Sequence, residues 1–260
     1  MIFILGAKGF LGSAVSRACR RQGLEFCGIE PEDYTDYVGQ ACDVLVNANG
    51  NSRKYLAQQS PLEDFAMNVG SVRRSLEDFG YGKYVLFSSA EVYPDSSRPA
   101  TTDENSVMDP AQQTPYGFHK YLAELCVRHR AARWLILRLS GFVGPGLKKN
   151  AVYDVMNGNP LWVDPASQFQ YLHTEDLATM VLAMAASRET DSQVVNVGAR
   201  GTISLLEVAR LSGRSLNARP GSPTVRCELA VTRLARWVNV PTTESAVKRF
   251  LEESRACVVG

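Results

Sequence analysis

A doubly wound α/β fold, with helices flanking a parallel sheet and a small C-terminal lobe, is what this sequence predicts. Three observations carry the prediction. Short apolar runs alternate with helical periods along the chain. Several of those runs, such as Asp43-Val-Leu-Val-Asn47 and Trp134-Leu-Ile-Leu-Arg-Leu139, are nearly uninterrupted, as in strands buried on both faces. The first run, Met1-Ile-Phe-Ile-Leu5, feeds into Gly6-Ala-Lys-Gly9-Phe-Leu-Gly12, and a helical pattern begins there.

In chain order, Leu11, Val15, Ala18 and Cys19 give the first helix one apolar face, and Gly23 is its stop signal. Glu25-Phe-Cys-Gly-Ile29 reads as a second strand ending at Glu30. The short stretch from Glu30 to Asp43 is too small for a strand–helix unit. The sheet is therefore trimmed at that edge, or its third strand is vestigial around residues 34–37. Residues 61–79 read as one helix with Leu62, Phe65, Ala66, Val69, Val72 and Leu76 on its inner side. Tyr84-Val-Leu-Phe-Ser88 is a strand, residues 94–114 a long polar loop, and residues 115–130 a helix. Val194-Val-Asn-Val197 is a late strand. Ser204-Leu-Leu-Glu207 has capping-box spacing, and residues 243–257 form an amphipathic tail helix. The expected division is residues 1–146, with 172–198 returning to them, against an interleaved lobe built from 147–260.

The chain has 260 residues, of which 45% are apolar and 21% charged, with a net charge of +1. That balance gives no electrostatic case for nucleic acid or for an anionic membrane. A strand starting at residue 1 or 2 leaves no room for a signal peptide, and no apolar run has the length of a membrane span. A cytoplasmic protein is expected. Its six cysteines lie at 19, 27, 42, 126, 227 and 257, without metal or redox spacing, and read as reduced core residues. The three histidines do not have ligand spacing, so no metal is expected.

A strand, a glycine turn and a helix build a dinucleotide-phosphate site. Gly6 permits the sharp turn, Gly9 lets the backbone approach a pyrophosphate, and Gly12 lets the helix pack on the strand. The helix N-terminus offers free N–H groups to the phosphates. Lys8, Phe10 and Leu11 belong to the same turn. Glu30 ends the second strand, where a carboxylate suits a ribose 2′-hydroxyl and repels a 2′-phosphate. That favours NAD. Lys8, Arg53 and Lys54 leave NADP possible.

Tyr116 and Lys120 share one face of a predicted helix. Ser88 and Ser89 end a strand, at the sheet edge where ligands of open α/β folds bind. Together they form a proton-transfer device. A tyrosine is a poor base at neutral pH, and an ammonium and a positive nicotinamide ring nearby would stabilise its phenolate. His119 is one residue off the Tyr116–Lys120 face and reads as supporting or exposed. His173 reads as a polar loop residue, with a substrate contact as the other option.

These segments resemble the extended short-chain dehydrogenase/reductase family, also called NAD-dependent epimerase/dehydratases, over almost the whole chain. Gly6-x-x-Gly9-x-x-Gly12 is similar to the family's cofactor turn, Asp43 to Ala48 to the strand after it, and Asn68-Val-Gly70 to the following helix. Val85 to Tyr93 resembles the catalytic serine strand, Pro115-Tyr-Gly-Phe-His-Lys120 the Tyr-x-x-x-Lys segment, and Leu137 to Gly146 the passage into the substrate lobe. The resemblance implies a Rossmann-like fold and a catalytic set of Tyr116 as acid/base, Lys120 as its partner and Ser89 as the polarising hydroxyl. It adds Asn47, Ala48 and Asn68 to the cofactor contacts, with Tyr116 and Lys120. It also implies a homodimer through helices 62–79 and 115–130, with Leu76 or Leu122 offering a second apolar stripe.

Departures shape the substrate expectation. Ala90 and Glu91 stand where 4,6-dehydratases carry Asp and Glu, which disfavours loss of water. Gly141 and Phe169 stand where UDP-galactose 4-epimerase-like members carry Asn and Arg. Arg219 matches a phosphate-binding arginine. Glu91 and Asn150 are the other substrate candidates, with an exposed turn as the alternative for Asn150. The expected activity is hydride transfer at a carbinol or ketone of a sugar, in particular a nucleotide-sugar, as an epimerase or a ketoreductase. The alternatives are an NADPH-dependent reductase of another carbonyl compound and a non-catalytic dinucleotide-binding regulator.

Overall fold

The computed structural model describes residues 1–259. Its main elements in chain order are β1 (Ile2–Leu5), α1 (Phe10–Arg21), β2 (Phe26–Ile29), β3 (Ala41–Asn47), α2 (Leu56–Gln59), α3 (Pro61–Phe65), α4 (Ser71–Asp78), β4 (Gly80–Ser89), α5 (Pro115–Arg130) and β5 (Trp134–Leu139). Then follow β6 (Gly141–Val143), α6 (Ala151–Asn157), β7 (Gln168–Phe169), β8 (Tyr171–His173), α7 (Thr174–Ala186), β9 (Gln193–Val197), β10 (Ile203–Ser204), α8 (Leu205–Ser212), β11 (Arg226–Cys227) and α9 (Thr243–Val259).

The chain forms two compact units. The first comprises Met1–Pro94, Glu104–Leu139 and Leu177–Asn196. Its six-stranded sheet runs β2-β1-β3-β4-β5-β9. The pairs β1–β2, β1–β3, β3–β4 and β4–β5 are all parallel. Leu5 lies opposite both Ile29 and Asn47, Asn47 opposite Leu86, and Ser89 opposite Leu139. This register aligns the C-terminal ends of β1, β3 and β4, so Gly6, Ala48 and Ser89 follow along one sheet edge. Phe3, Leu45, Leu86 and Ile136 on the strands pack with Val72, Leu76, Ala123 and Val127 from α4 and α5.

Two expectations change here. Residues 34–37 form a turn of 3₁₀ helix and not a strand. The Tyr37 ring meets Phe3 edge-on at 6.2 Å and the Tyr34 ring meets Phe79 at 5.2 Å. These rings thus pack on the core between β2 and β3, where a strand–helix unit would not fit.

The single helix expected over 61–79 is α3 and α4 joined by a wider π-type turn at Ala66–Gly70. Its N-terminal half faces the opposite way from the apolar pattern. Leu62 is 84% exposed and Phe65 41% exposed, while Asp64 and Asn68 are buried. The extra residue per turn re-phases the helix. The apolar stripe points inward only from Val69 onward, and the polar side chains before it find partners described below.

The second unit comprises Asp95–Asp103, Ser140–Asp176 and Val197–Gly260, with the described chain ending at 259. Residues 95–103 of the long loop belong to it, and Leu177–Asn196 lies in the first unit. It holds a three-stranded sheet, β10-β7-β11, and the parallel pair β6–β8. Val143, Val152, Leu161, Tyr171, Leu205, Val208, Val247 and Leu251 form its core. The Ser204 hydroxyl caps α8 by accepting the Glu207 N–H at 3.1 Å. His173 is no loop residue: it ends β8, fully buried, and its ring lies 3.1 Å from Glu253 on α9.

Candidate active site

The glycine turn has the stereochemistry its sequence requires. Gly6 sits at φ +75°, and the Gly9 N–H donates to its carbonyl at 3.0 Å. A Cβ on Gly12 would lie 2.1 Å from that same carbonyl oxygen, so α1 approaches β1 only because residue 12 is glycine. Glu30 is locked onto this turn: its carboxylate accepts the Lys8 N–H at 2.6 Å. The Lys8 side chain itself is exposed.

Beside the turn is a cavity of about 450 Å³. Gly6, Glu30, Tyr34, Thr35, Gly70 and Arg74 are among its walls. A glycine cradle open to backbone N–H groups, next to a cavity with a fixed carboxylate, fits a dinucleotide whose adenosine ribose meets Glu30. Asn47 is not in those walls. Its carboxamide donates to Tyr84 at 2.7 Å and Ser75 at 3.3 Å and accepts the Asn49 N–H, so it braces the end of β3 from within the core. Ala48 continues the edge, its N–H donating to Leu5 at 3.1 Å.

The catalytic candidates lie at the end of β4 and on α5. Thr114 caps α5 and Pro115 fills its first turn. Gly117 then brings the helix down onto the turn after β4, because a Cβ there would lie 2.0 Å from the Glu91 carbonyl oxygen. This glycine escaped the sequence reading, since only the tertiary contact demands it. Tyr116 and Lys120 are both buried. The Ser89 hydroxyl accepts the Glu91 N–H at 3.2 Å, which leaves its own proton to donate elsewhere. The Lys120 ammonium donates to the Phe87 carbonyl at 2.9 Å and has two further N–H bonds to give. Burial lowers its pKa to about 8, against the opposing pull of Glu124 and Asp64. Burial also raises the Tyr116 phenol well above its ordinary range, and the Asp64 and Glu91 charges add to the rise.

Two fully buried carboxylates, neither identified from the sequence, bear on this helix. Glu124 receives a bidentate Arg138 at 3.0 and 2.8 Å and the Ser88 hydroxyl at 2.6 Å. The Arg138 guanidinium in turn lies over the Tyr93 ring at 4.8 Å. Asp64 accepts Asn51 at 2.6 Å and Asn68 at 3.0 Å on one oxygen, and faces His119 Nδ1 at 2.7 Å with the other. His119 is thus buried and paired, and not exposed.

Other candidates have structural partners. Asn68 is buried against Asp64, while its Oδ1 has no hydrogen-bond partner. Glu91 forms an ion pair with Lys54 at 2.5 Å. Asn150 caps α6, accepting the Tyr153 N–H and donating to the Phe142 carbonyl, both at 2.8 Å, so its side chain is engaged in the fold. In the second unit, the Arg219 guanidinium stacks 3.4 Å over the Trp162 ring. Among the described residues, no group of His, Cys, Asp and Glu is placed to hold a metal, and no helix is long and apolar enough to cross a membrane.

Comparison with known proteins places this fold. The model of the NAD dependent epimerase/dehydratase family matches residues 2–198. No curated protein matches the sequence. Among solved structures, MoeE5 in complex with UDP-glucose and NAD superposes with a TM-score of 0.84 at 20% identity, covering 99% of each chain. A UDP-galactose 4-epimerase gives 0.82 at 24% identity, again over 99% of each chain. The dTDP-4-dehydrorhamnose reductase of Bacillus anthracis, in complex with NADP, gives 0.78 at 16% identity over 97% of each chain. At these identities the likeness is one of fold.

Proposed function

The chain belongs to the NAD dependent epimerase/dehydratase family, and we propose that it moves a hydride at a carbinol or ketone of a nucleotide-sugar, as an epimerase or a ketoreductase. The observation that carries the reading is the buried Tyr116–Lys120 face, pressed by Gly117 onto the turn that follows Ser89. NAD, held by the Gly6–Gly12 turn and Glu30, supplies the hydride acceptor and a positive charge when bound. Ser89 donates its free O–H to the substrate oxygen. Tyr116 exchanges a proton with that oxygen. Lys120, with two N–H bonds uncommitted, supports the phenolate and the ribose. Burial and the Asp64 and Glu91 charges hold the Tyr116 phenol protonated, so it is poised to donate, and accepting a proton requires the added positive charge of bound NAD. Dehydration is disfavoured, because Ala90 has no proton to give and Glu91 is paired with Lys54.

Nucleotide-sugars bound in structures of the same fold, such as UDP-glucose in MoeE5, support the substrate class, and the exposed Arg219 is the candidate phosphate contact. Purified Tyr116→Phe is expected to lose turnover by ~10²–10⁴-fold while calorimetry shows NAD binding unchanged, and binding tighter than for NADP. Near-native turnover in that variant would sink the assignment. Cofactor that co-purifies and does not exchange would identify an epimerase, and a freely exchanging one a reductase.

The homodimer rests on a largely apolar groove of about 440 Å³ between the α3–α4 segment and α5, where Phe65, Val69, Leu122 and Leu125 are walls. Leu76 is not part of that stripe, since it is buried in the core. Sedimentation at micromolar concentration is expected to show a dimer that Leu125→Glu dissociates.

A further inference from the structure

The Tyr116 hydroxyl donates at 3.1 Å to the main-chain carbonyl of Asn51, on the loop that follows β3. A carbonyl oxygen can only accept, so this contact orients the phenol proton and holds only while that proton is present. The Asn51 carbonyl is itself held in place from the side chain. The Asn51 Oδ1 accepts the Arg53 N–H at 2.8 Å, and its Nδ2 donates to the Arg53 carbonyl at 2.9 Å and to Asp64 at 2.6 Å. Asp64 is completely buried, and its second oxygen faces His119, three residues from Tyr116 on the same helix. The Phe65 ring stands edge-on to the His119 ring at 5.5 Å and shields the pair. One carboxylate therefore joins the loop after β3, the helix α3 and the catalytic helix α5.

Burying a carboxylate is costly unless it is fully hydrogen-bonded. The apolar pattern of residues 61–66 would have turned Leu62 inward with no such cost, yet Asp64 occupies the interior instead. We propose that Asp64 is a positioning residue for the acid/base Tyr116: through Asn51 it fixes the carbonyl that orients the phenol hydroxyl, and through His119 it fixes the helix face that presents it. The inference rests on the reading of Tyr116 as the proton-transfer group.

The test uses the full chain labelled with ¹³Cζ-tyrosine, in which the Tyr116 resonance is identified by its loss in Tyr116→Phe. That resonance reports hydrogen bonding of the phenol without any turnover. Asn51→Ala and Asp64→Ala are expected to shift it, and to slow single-turnover hydride transfer from UDP-glucose to bound NAD by ~10–100-fold, the scale of a misplaced reacting group, with little change in UDP-glucose affinity. Asp64→Asn can still accept from Asn51 and Asn68 and donate to the other His119 tautomer. It is expected to keep the resonance in place and to stay within about threefold of the wild-type single-turnover rate at pH 7. An unmoved resonance and an unchanged rate in Asn51→Ala would overturn the inference, even if Asp64→Ala fails to fold. An Asp64→Asn variant as impaired as Asp64→Ala would also overturn it, because charge and not position would then be what matters. Should Tyr116→Phe keep its turnover, the functional reading fails, while the ¹³C resonance still decides whether Asp64 orients the phenol.

Discussion

Glu124 and Asp64 are both fully buried carboxylates bearing on α5, yet the chain treats them differently. Glu124 faces Arg138, whose charge is permanent and whose pKa the neighbouring carboxylate raises further. Asp64 faces His119, whose charge depends on its proton, and two neutral carboxamides. The first arrangement is a balanced ion pair that clamps β4, β5 and α5 together. The second contains no permanent countercharge and instead distributes hydrogen bonds to parts that surround Tyr116. The lesson is that burial alone does not define a role; the partner's chemistry does.

The comparison breaks most visibly in stability. Arg138→Met removes the bidentate partner of the buried Glu124, leaving only Arg128 at 3.7 Å, and is expected to cost about 3 kcal/mol. Asp64→Asn keeps its hydrogen bonds and is expected to cost clearly less. Urea unfolding of both variants checks the ranking, and an equal loss would dissolve the distinction.

A smaller effect lies in pH dependence. Both carboxylates favour the charged form of Lys120, which burial pulls down to about 8. The kcat/KM profile of the free enzyme is expected to fall on the alkaline side near that value. Removing the Asp64 charge in Asp64→Asn takes away support for the ammonium, so the alkaline limb should move to lower pH. A limb that stays put or moves upward would contradict the assignment of Lys120 to it.

The smallest effect comes from the histidine–carboxylate pair of the other unit, which sharpens the contrast. His173 accepts the Glu175 N–H on Nδ1 at 3.3 Å, so its Nε2 carries the proton that faces Glu253. Burial and then Arg249 lower its pKa. The unfolded chain therefore takes up this proton at the ordinary histidine pKa, whereas the folded chain resists it. The resulting stability is present above that pKa and is lost as pH falls below it. Melting temperatures between neutral pH and mild acid should drop less in His173→Gln than in the parent. This pair pins α9 to β8 within its unit, and turnover at neutral pH should not depend on its proton.

The sequence by itself determined the strand–turn–helix start, the alternation of strands and helices, and the Tyr116–Lys120 face. Each follows from short-range rules: a backbone that tolerates no Cβ, a period of apolar residues, a spacing of four on a helix. It also singled out Glu30, which lines the cavity beside the glycine turn.

Tertiary structure decided the rest. The inward face of residues 61–68 reverses because Asp64 meets His119, fifty-five positions away, and an apolar period cannot register a partner so distant. The intramolecular hydrogen bonds of Asn47 and Asn150, which brace the end of β3 and the start of α6, were not legible either. Gly117 reads as an ordinary helical glycine until the Glu91 carbonyl is seen against it. In each case the deciding quantity is whether a buried polar group finds a partner or a backbone finds room. Both depend on chain segments that only the folded molecule brings together.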